Sequence, residues 1–241
     1  MTWWVVAGAV LVALVLAAGL FFKRGSATPA YMSASYWDAR YRRHPEAFEW
    51  YLSFQDLVDH GLLTLTSSHL SLLAQPPIEV RNLRVLDLGG GNSTLAHRLC
   101  EALHGNGRVV SIDISDTCIR LMQTTYPSKV QYLCMDARDM EFKDNSFDVV
   151  LDKSTMDAIV SPGNATAAHA AKRILRQVAR VLRPDGFFLM ISVHPWSYWH
   201  PLVASAAPSL AHAQEKTQSV VLSSDRHPIL VFVNVLQKAS A

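Results

Sequence analysis

The chain has 241 residues, 50% of them hydrophobic, with 22 basic residues against 20 acidic ones. That length allows one α/β domain plus an extra segment, and the apolar half suffices for a sizeable core. A net charge of +2 makes no electrostatic case for nucleic acid, and the scattered Cys100, Cys118 and Cys134 offer neither a zinc spacing nor a disulfide framework, so they read as reduced thiols of a cytosol-facing domain.

From Trp3 to Phe22 there is no charged residue. About 20 apolar residues cross the hydrocarbon core of a bilayer as a helix. Trp3 and Trp4 suit one interface, and Lys23 and Arg24 follow at the other. No Lys or Arg precedes the run, which argues against a signal peptide. Residues 1–24 are therefore expected to form an N-terminal transmembrane helix, a single-pass anchor with the domain after it facing the cytosol. Asn92-Ser93-Thr94 and Asn164-Ala165-Thr166 match the N-glycosylation pattern. A glycan in the first would block the glycine-rich loop, which agrees with a cytosolic domain.

Residues 25–32 read as a linker. Residues 33–79 read as a helical segment. Tyr36, Trp37, Arg40 and Tyr41 make a helical stripe, Phe48-Glu49-Trp50-Tyr51 opens a second amphipathic stretch, and 62–73 is expected to be further helix before Pro76-Pro77. Residues 80–241 alternate strand and helix. Strands are expected at 84–89, 108–113, 130–135, 147–152 and 186–193, and helices at 93–104, 116–125 and 165–182. Arg183-Pro184-Asp185-Gly186 is expected to turn, and 219–222 with 229–236 to form an antiparallel pair. Such alternation predicts a parallel sheet with helices on both faces.

The chemistry concentrates after the first of these strands. Val85-Leu86-Asp87-Leu88 runs into Gly89-Gly90-Gly91 and a helix, and the next strand ends in Asp113. Glycines let a backbone approach a ligand, and an acid at that spacing can accept from ribose hydroxyls, the geometry of a nucleoside cofactor site. Gly89-Gly90-Gly91-Asn92-Ser93-Thr94 lacks the third glycine of a dinucleotide fingerprint. Asp87 serves either the loop or a cap. His194, His200 and His227 have no metal spacing, so no metal is implied.

Met135-Asp136-Ala137 ending the third strand, Phe147-Asp148-Val149-Val150-Leu151-Asp152 as the fourth and Leu182-Arg183-Pro184-Asp185-Gly186 before the fifth complete the pattern. In that order these elements resemble the class I S-adenosylmethionine-dependent methyltransferases. The resemblance implies an α/β, doubly wound, Rossmann-like sheet of seven strands with the last antiparallel, and S-adenosyl-L-methionine as cofactor. Tyr36-Trp37-Asp38-Ala39-Arg40-Tyr41, Phe48-Glu49-Trp50-Tyr51, Gly91-Asn92-Ser93 and Leu151-Asp152-Lys153-Ser154-Thr155-Met156-Asp157-Ala158 resemble, more narrowly, the methyltransferase-like group acting on lysines of elongation factor 1-alpha. Gly89-Gly90-Gly91 and the stretch His194-Pro195-Trp196-Ser197-Tyr198-Trp199 depart from that group.

The resemblance implies that the helical segment closes over the cofactor, with Trp37, Tyr41 and Trp50 lining its pocket. It places Gly89 and Gly91 in the loop, Asp113 and Ile114 at ribose and adenine, Asp136 and Ala137 at adenine, and Lys153 near the methionine end. A lysine acceptor needs acidic and aromatic groups for its ammonium. Asp152 and Asp157 are the candidate catalytic residues, with Trp196 and Tyr198 beside them. The partner implied is a protein substrate, together with a membrane through the N-terminal helix. A small-molecule or lipid methyltransferase at a membrane and a degenerate cofactor-binding interaction module are the alternatives.

Overall fold

The computed structural model describes residues 30–240 except 67, 74–76, 128–129, 213–217 and 223–227. The anchor expected at 1–24 and residues 25–29 of the linker expected at 25–32 lie outside the described residues. Among the described residues no helix is long and apolar enough to cross a membrane.

The chain runs α1 (Ala34–Arg43), α2 (Phe54–Asp59), β1 (Leu63–Leu65), β2 (His69–Leu72), β3 (Ile78–Glu79), β4 (Leu83–Leu88), α3 (Leu95–Ala102), β5 (Gly107–Asp113), α4 (Asp116–Thr125) and β6 (Gln131–Cys134). It continues through β7 (Phe147–Lys153), α5 (Thr155–Val160), α6 (Ala165–Val181), β8 (Leu182–Ser192), α7 (Trp196–Ala206), β9 (Leu210–His212), β10 (Gln218–Leu222) and β11 (Ile229–Lys238).

The main sheet has the order β10-β11-β8-β7-β4-β5-β6. The pairs β4–β5, β4–β7, β5–β6 and β7–β8 are parallel, whereas β11 is antiparallel to both β8 and β10. This is the Rossmann-like arrangement. One correction applies to the strand count, because short β9 also pairs with the end of β11 and makes an eighth strand.

Every residue of β7 is buried, as a central strand covered on both faces requires. Val149 and Leu151 face the core formed with α3, α4 and the N-terminal segment, while Val150 faces the one formed with α5, α6 and α7. Helix α6 supplies the largest apolar stripe of the second core, with Ala167, Ala171, Ile174, Val178 and Val181 buried. The Asn164 side chain starts it by accepting from Ala167 N–H at 2.9 Å.

Two local expectations are corrected. Residues 62–73 are not helix: β1, β2 and β3 form a small antiparallel sheet. Leu70 and Leu72 are buried on either side of the less buried Ser71, and Leu63 is buried before the exposed Thr64. That is a two-residue period, and the threonines and serines among the leucines are poor helix formers. The turn expected at Arg183–Gly186 is instead a bulge inside β8. Leu182 pairs with Phe147 and Phe187 with Val149, with Asp185 at φ +60° between them.

β4 has neighbours on both sides whose chains depart in opposite directions, β5 toward one edge and β7 toward the other. Ligands of open α/β sheets bind beyond the strand ends at this switch point.

Candidate functional site

Gly89 and Gly91 have φ +63° and +57°, a region that side-chain-bearing residues avoid. Gly90 N–H donates to the Ile112 carbonyl at 3.0 Å, and Gly91 N–H donates to Asp113 Oδ2 at 3.1 Å. The loop is thereby folded back against the end of β5. Beneath it lies Asp87, whose Oδ2 accepts from Ser111 Oγ at 2.8 Å. Asp87 therefore supports the loop. Burial pushes the carboxyls of Asp87 and Asp113 up to about 6 each, against the donors that hold them.

Asp113 also accepts Ser115 N–H on Oδ1 at 2.8 Å. Each carboxylate oxygen thus has one backbone donor and keeps lone-pair capacity for another, which fits a ribose diol. On the far side of Gly91 stands Tyr41, whose hydroxyl would lie 2.6 Å from a Cβ at that position. Trp37 stacks on Tyr41 with ring centres 5.8 Å apart and on Tyr31 at 5.6 Å. Its indole N–H donates to the Tyr31 carbonyl at 2.7 Å. Trp50 is not part of that stack. It is 37% exposed, with the Arg40 guanidinium 5.6 Å from its ring centre and Phe48 against its edge.

The segment after α1 crosses the loop. Asn92 Nδ2 donates to the Glu46 carbonyl at 2.5 Å, and Phe48 N–H donates to the Asn92 carbonyl at 3.4 Å. Glu49 then makes four polar contacts. Its Oε1 accepts Thr94 N–H and Oγ1, both at 2.8 Å, and its Oε2 accepts Ser93 Oγ at 2.6 Å and Lys153 Nζ at 2.5 Å. Burial opposes charge on Glu49, but Lys153, Ser93 and Thr94 prevail and hold its carboxyl below the ordinary range. Lys153, buried at the end of β7, is accordingly locked to the strand–helix loop of β4.

Asp136 and Ala137 follow β6, next to Asp113, since Met135 N–H donates to the Asp113 carbonyl at 2.9 Å. The Asp136 carboxylate is gripped by Arg138, with Nε 2.9 Å from both oxygens and Nη2 2.7 Å from Oδ2. Arg138 also reaches back to the Met32 carbonyl at 3.3 Å. Ile114 lies on the same rim, where its carbonyl is approached by Cys134 Sγ at 3.7 Å.

The two candidate catalytic acids differ. Asp152 is fully buried. Its Oδ1 accepts Met156 N–H at 3.1 Å, capping the start of α5, and its Oδ2 has no partner in the protein. Burial, reinforced by the nearby Asp157, drives its carboxyl well above the ordinary range. Asp157 accepts from Ser192 Oγ at 2.6 Å, Tyr51 Oη at 3.0 Å and Val193 N–H at 3.0 Å. Tyr198 is 40% exposed and stacks on His194. Trp196 lies a turn away with its ring toward His200.

Sequence reasoning passed over Glu49, Tyr51, Ser192 and His194. Glu49 and Tyr51 sit inside the quoted Phe48-Glu49-Trp50-Tyr51, which was the only available signal. Ser192 carried none, because its partners come from α5 and α7, and His194 was marked only as part of the departing stretch His194-Pro195-Trp196-Ser197-Tyr198-Trp199.

Residues 79–234 match the family model described as a methyltransferase domain. The chain is 35% identical over 165 residues to the human eEF1A lysine and N-terminal methyltransferase, an alignment covering 67% of this chain and 21% of that protein. It is 32% identical over 173 residues to mouse EEF1A lysine methyltransferase 4, covering 67% of this chain and 61% of that one. Among solved structures, a SAM-dependent methyltransferase of Methanosarcina mazei superposes with a TM-score of 0.54 at 18% identity, covering 76% of this chain and 98% of that one, a likeness of fold.

Proposed function

The chain belongs to the methyltransferase-domain family, and from that premise we propose that it transfers a methyl group from S-adenosylmethionine to a lysine side chain of a protein. The observation that carries the reading is the Asp113 carboxylate, fixed by Gly91 and Ser115 with acceptor capacity to spare beside the glycine loop. When bound, the cofactor supplies a sulfonium methyl carbon, an electrophile for a nitrogen lone pair.

The protein's part is orientation and exclusion of water. Trp37 and Tyr41 wall the Gly91 side, Ile114, Asp136 and Ala137 the adenine side, and Lys153 the methionine end. Gly89 and Gly91 give the close backbone approach. Asp157 stands toward the acceptor, whereas Asp152 shapes the first turn of α5.

Lysine as acceptor is supported by the names of the human and mouse relatives, and elongation factor 1-alpha is the first candidate. The chain spans about a fifth of the human relative and 61% of the mouse one, so the activity is assigned to this chain as a proposal. The uncharged run 3–22 supports a membrane tether that holds the domain on the cytosolic side.

Isothermal titration of the full chain with S-adenosylmethionine, with NAD as control, tests the cofactor. Radiolabelled-methyl transfer to elongation factor 1-alpha, compared with lipid extract, tests the acceptor. Saturable binding of the sulfonium alone and label on lysine are expected. Label in the lipid fraction only would replace the acceptor, and absence of binding to either cofactor would leave an interaction module.

A further inference from the structure

The ends of β7 and β8 carry a second polar group, tied to the glycine loop through Thr155, whose Oγ1 donates to the carbonyls of Leu88 and Gly89 at 2.8 and 3.2 Å. Ser154 N–H donates to the Ile191 carbonyl at 3.1 Å, which sets the start of α5 against the end of β8. One turn on, Asp157 holds Ser192, Val193 and Tyr51 together. Ser192 Oγ in turn accepts from the His194 backbone N–H and from the indole N–H of Trp199, both at 2.9 Å. The backbone of 192–194 is thus fixed by side chains from α5 and α7.

The His194 imidazole projects from this fixed turn. It lies parallel to the Tyr198 ring with centres 4.2 Å apart and meets the buried Trp199 edge-on at 6.0 Å. Burial holds the imidazole below its ordinary range, although the Asp157 charge pulls the other way. It is neutral at pH 7 and has a ring nitrogen able to accept a proton. The other titratable groups around Asp157 and His194 are Tyr51 from the N-terminal segment, Tyr198 from α7 and Asp152 at the end of β7.

A lysine arrives as an ammonium, which has no lone pair for a methyl carbon. We propose that Asp157 and the His194–Tyr198 stack form the acceptor-ammonium site and that His194 is the base that deprotonates it. The inference rests on the lysine reading above. In the step, one N–H bond of the ammonium breaks and its electron pair stays on the lysine nitrogen. The proton bonds to the imidazole and passes to water after product leaves. The imidazolium formed is favoured by the Asp157 carboxylate and by the face of Tyr198.

The test uses the full chain and two ligands. One is S-adenosylhomocysteine; the other is a bisubstrate probe carrying an aminoalkyl chain of lysine length in place of the transferred methyl. Both are titrated calorimetrically into wild type, His194→Gln and Asp157→Asn. S-adenosylhomocysteine should bind all three alike, which also reports that the variants fold. The probe should bind wild type more tightly than S-adenosylhomocysteine. That gain should fall about tenfold or more in each variant, the scale of one hydrogen bond to a charged group. Imidazole nitrogen shifts of wild-type His194 should show its accepting ring nitrogen taking a hydrogen bond from the probe's ammonium, a change absent with S-adenosylhomocysteine.

No gain in wild type, a gain that survives both substitutions, or imidazole nitrogen shifts unmoved by the probe overturns the assignment. Failure of wild type to bind S-adenosylhomocysteine overturns instead the methyltransferase reading beneath it.

Discussion

Glu49 and Lys153 are 104 positions apart in the chain, and their side chains meet at 2.5 Å. The ammonium is nearly buried, with 5% of the side chain accessible against 23% for Glu49. Removing one partner of such a pair leaves a desolvated charge, which costs about 3–5 kcal/mol when burial is complete. Partial access of Glu49 to water lowers that figure. Glu49→Ala is expected to destabilise the protein by roughly 2–3 kcal/mol in urea unfolding. Glu49→Ala combined with Lys153→Met should cost less than the sum of the single changes, as a double-mutant cycle measures.

Acidification is expected to act in opposite directions on folding and on cofactor binding. Asp87 and Asp113 have folded-state values of about 6 against an ordinary 3.8. Between those limits the folded chain binds more protons than the unfolded one, so the contribution of these groups to stability falls as pH rises through the window. A ribose hydroxyl donates to the ionised Asp113, so cofactor affinity should fall as pH drops below about 6. Calorimetric Tm without ligand and Kd for S-adenosylhomocysteine, both measured from pH 7 to about pH 5, should show the two trends. Asp113→Asn should remove most of the pH dependence of Kd and weaken binding at pH 7.

Gly90 faces the support beneath the loop. A Cβ there would lie 2.1 Å from Asp87 Oδ2 and 2.3 Å from Ser111 Oγ. Both atoms belong to buried, mutually hydrogen-bonded side chains. Gly90→Ala is expected to cost about 1–3 kcal/mol by overpacking and to weaken cofactor binding by an order of magnitude or more, as measured by titration.

Trp37 and Trp50 should separate in binding experiments. Trp37 stacks on the ring that stands over Gly91, whereas Trp50 is half exposed against Arg40. Trp37→Ala should raise the Kd for S-adenosylhomocysteine about tenfold, the upper range of an aromatic pair. Trp50→Ala should change it by less than about threefold. Equal losses would place Trp50 against the cofactor after all.

What could be read from residues alone divides along sequence distance. The loop at 89–91, Asp113 and helix α6 were legible because each declares itself within a few residues. The strands at 63–72 were missed because short leucine runs with hydroxyl residues fit two periods, and pairing with Ile78–Glu79 decides between them. Glu49 was hidden for a different reason. Its partners Ser93, Thr94 and Lys153 lie on two other elements, and no spacing relates them. Asp152 and Asp157 look equivalent in Asp152-Lys153-Ser154-Thr155-Met156-Asp157, yet one is sealed in the core and the other faces Tyr51 and Val193.

Asn92, within its glycosylation pattern, is 6% exposed. Its side-chain amide donates to the carbonyls of Glu46 and His44, at 2.5 and 3.4 Å. An amide nitrogen so engaged presents nothing to a glycan-transferring enzyme, so the folded domain is refractory to modification at this position. A sugar attached earlier, to the nascent chain, would occupy the place that residues 44–48 take over the loop. Glycan at Asn92 and closure of this segment are mutually exclusive states of the molecule.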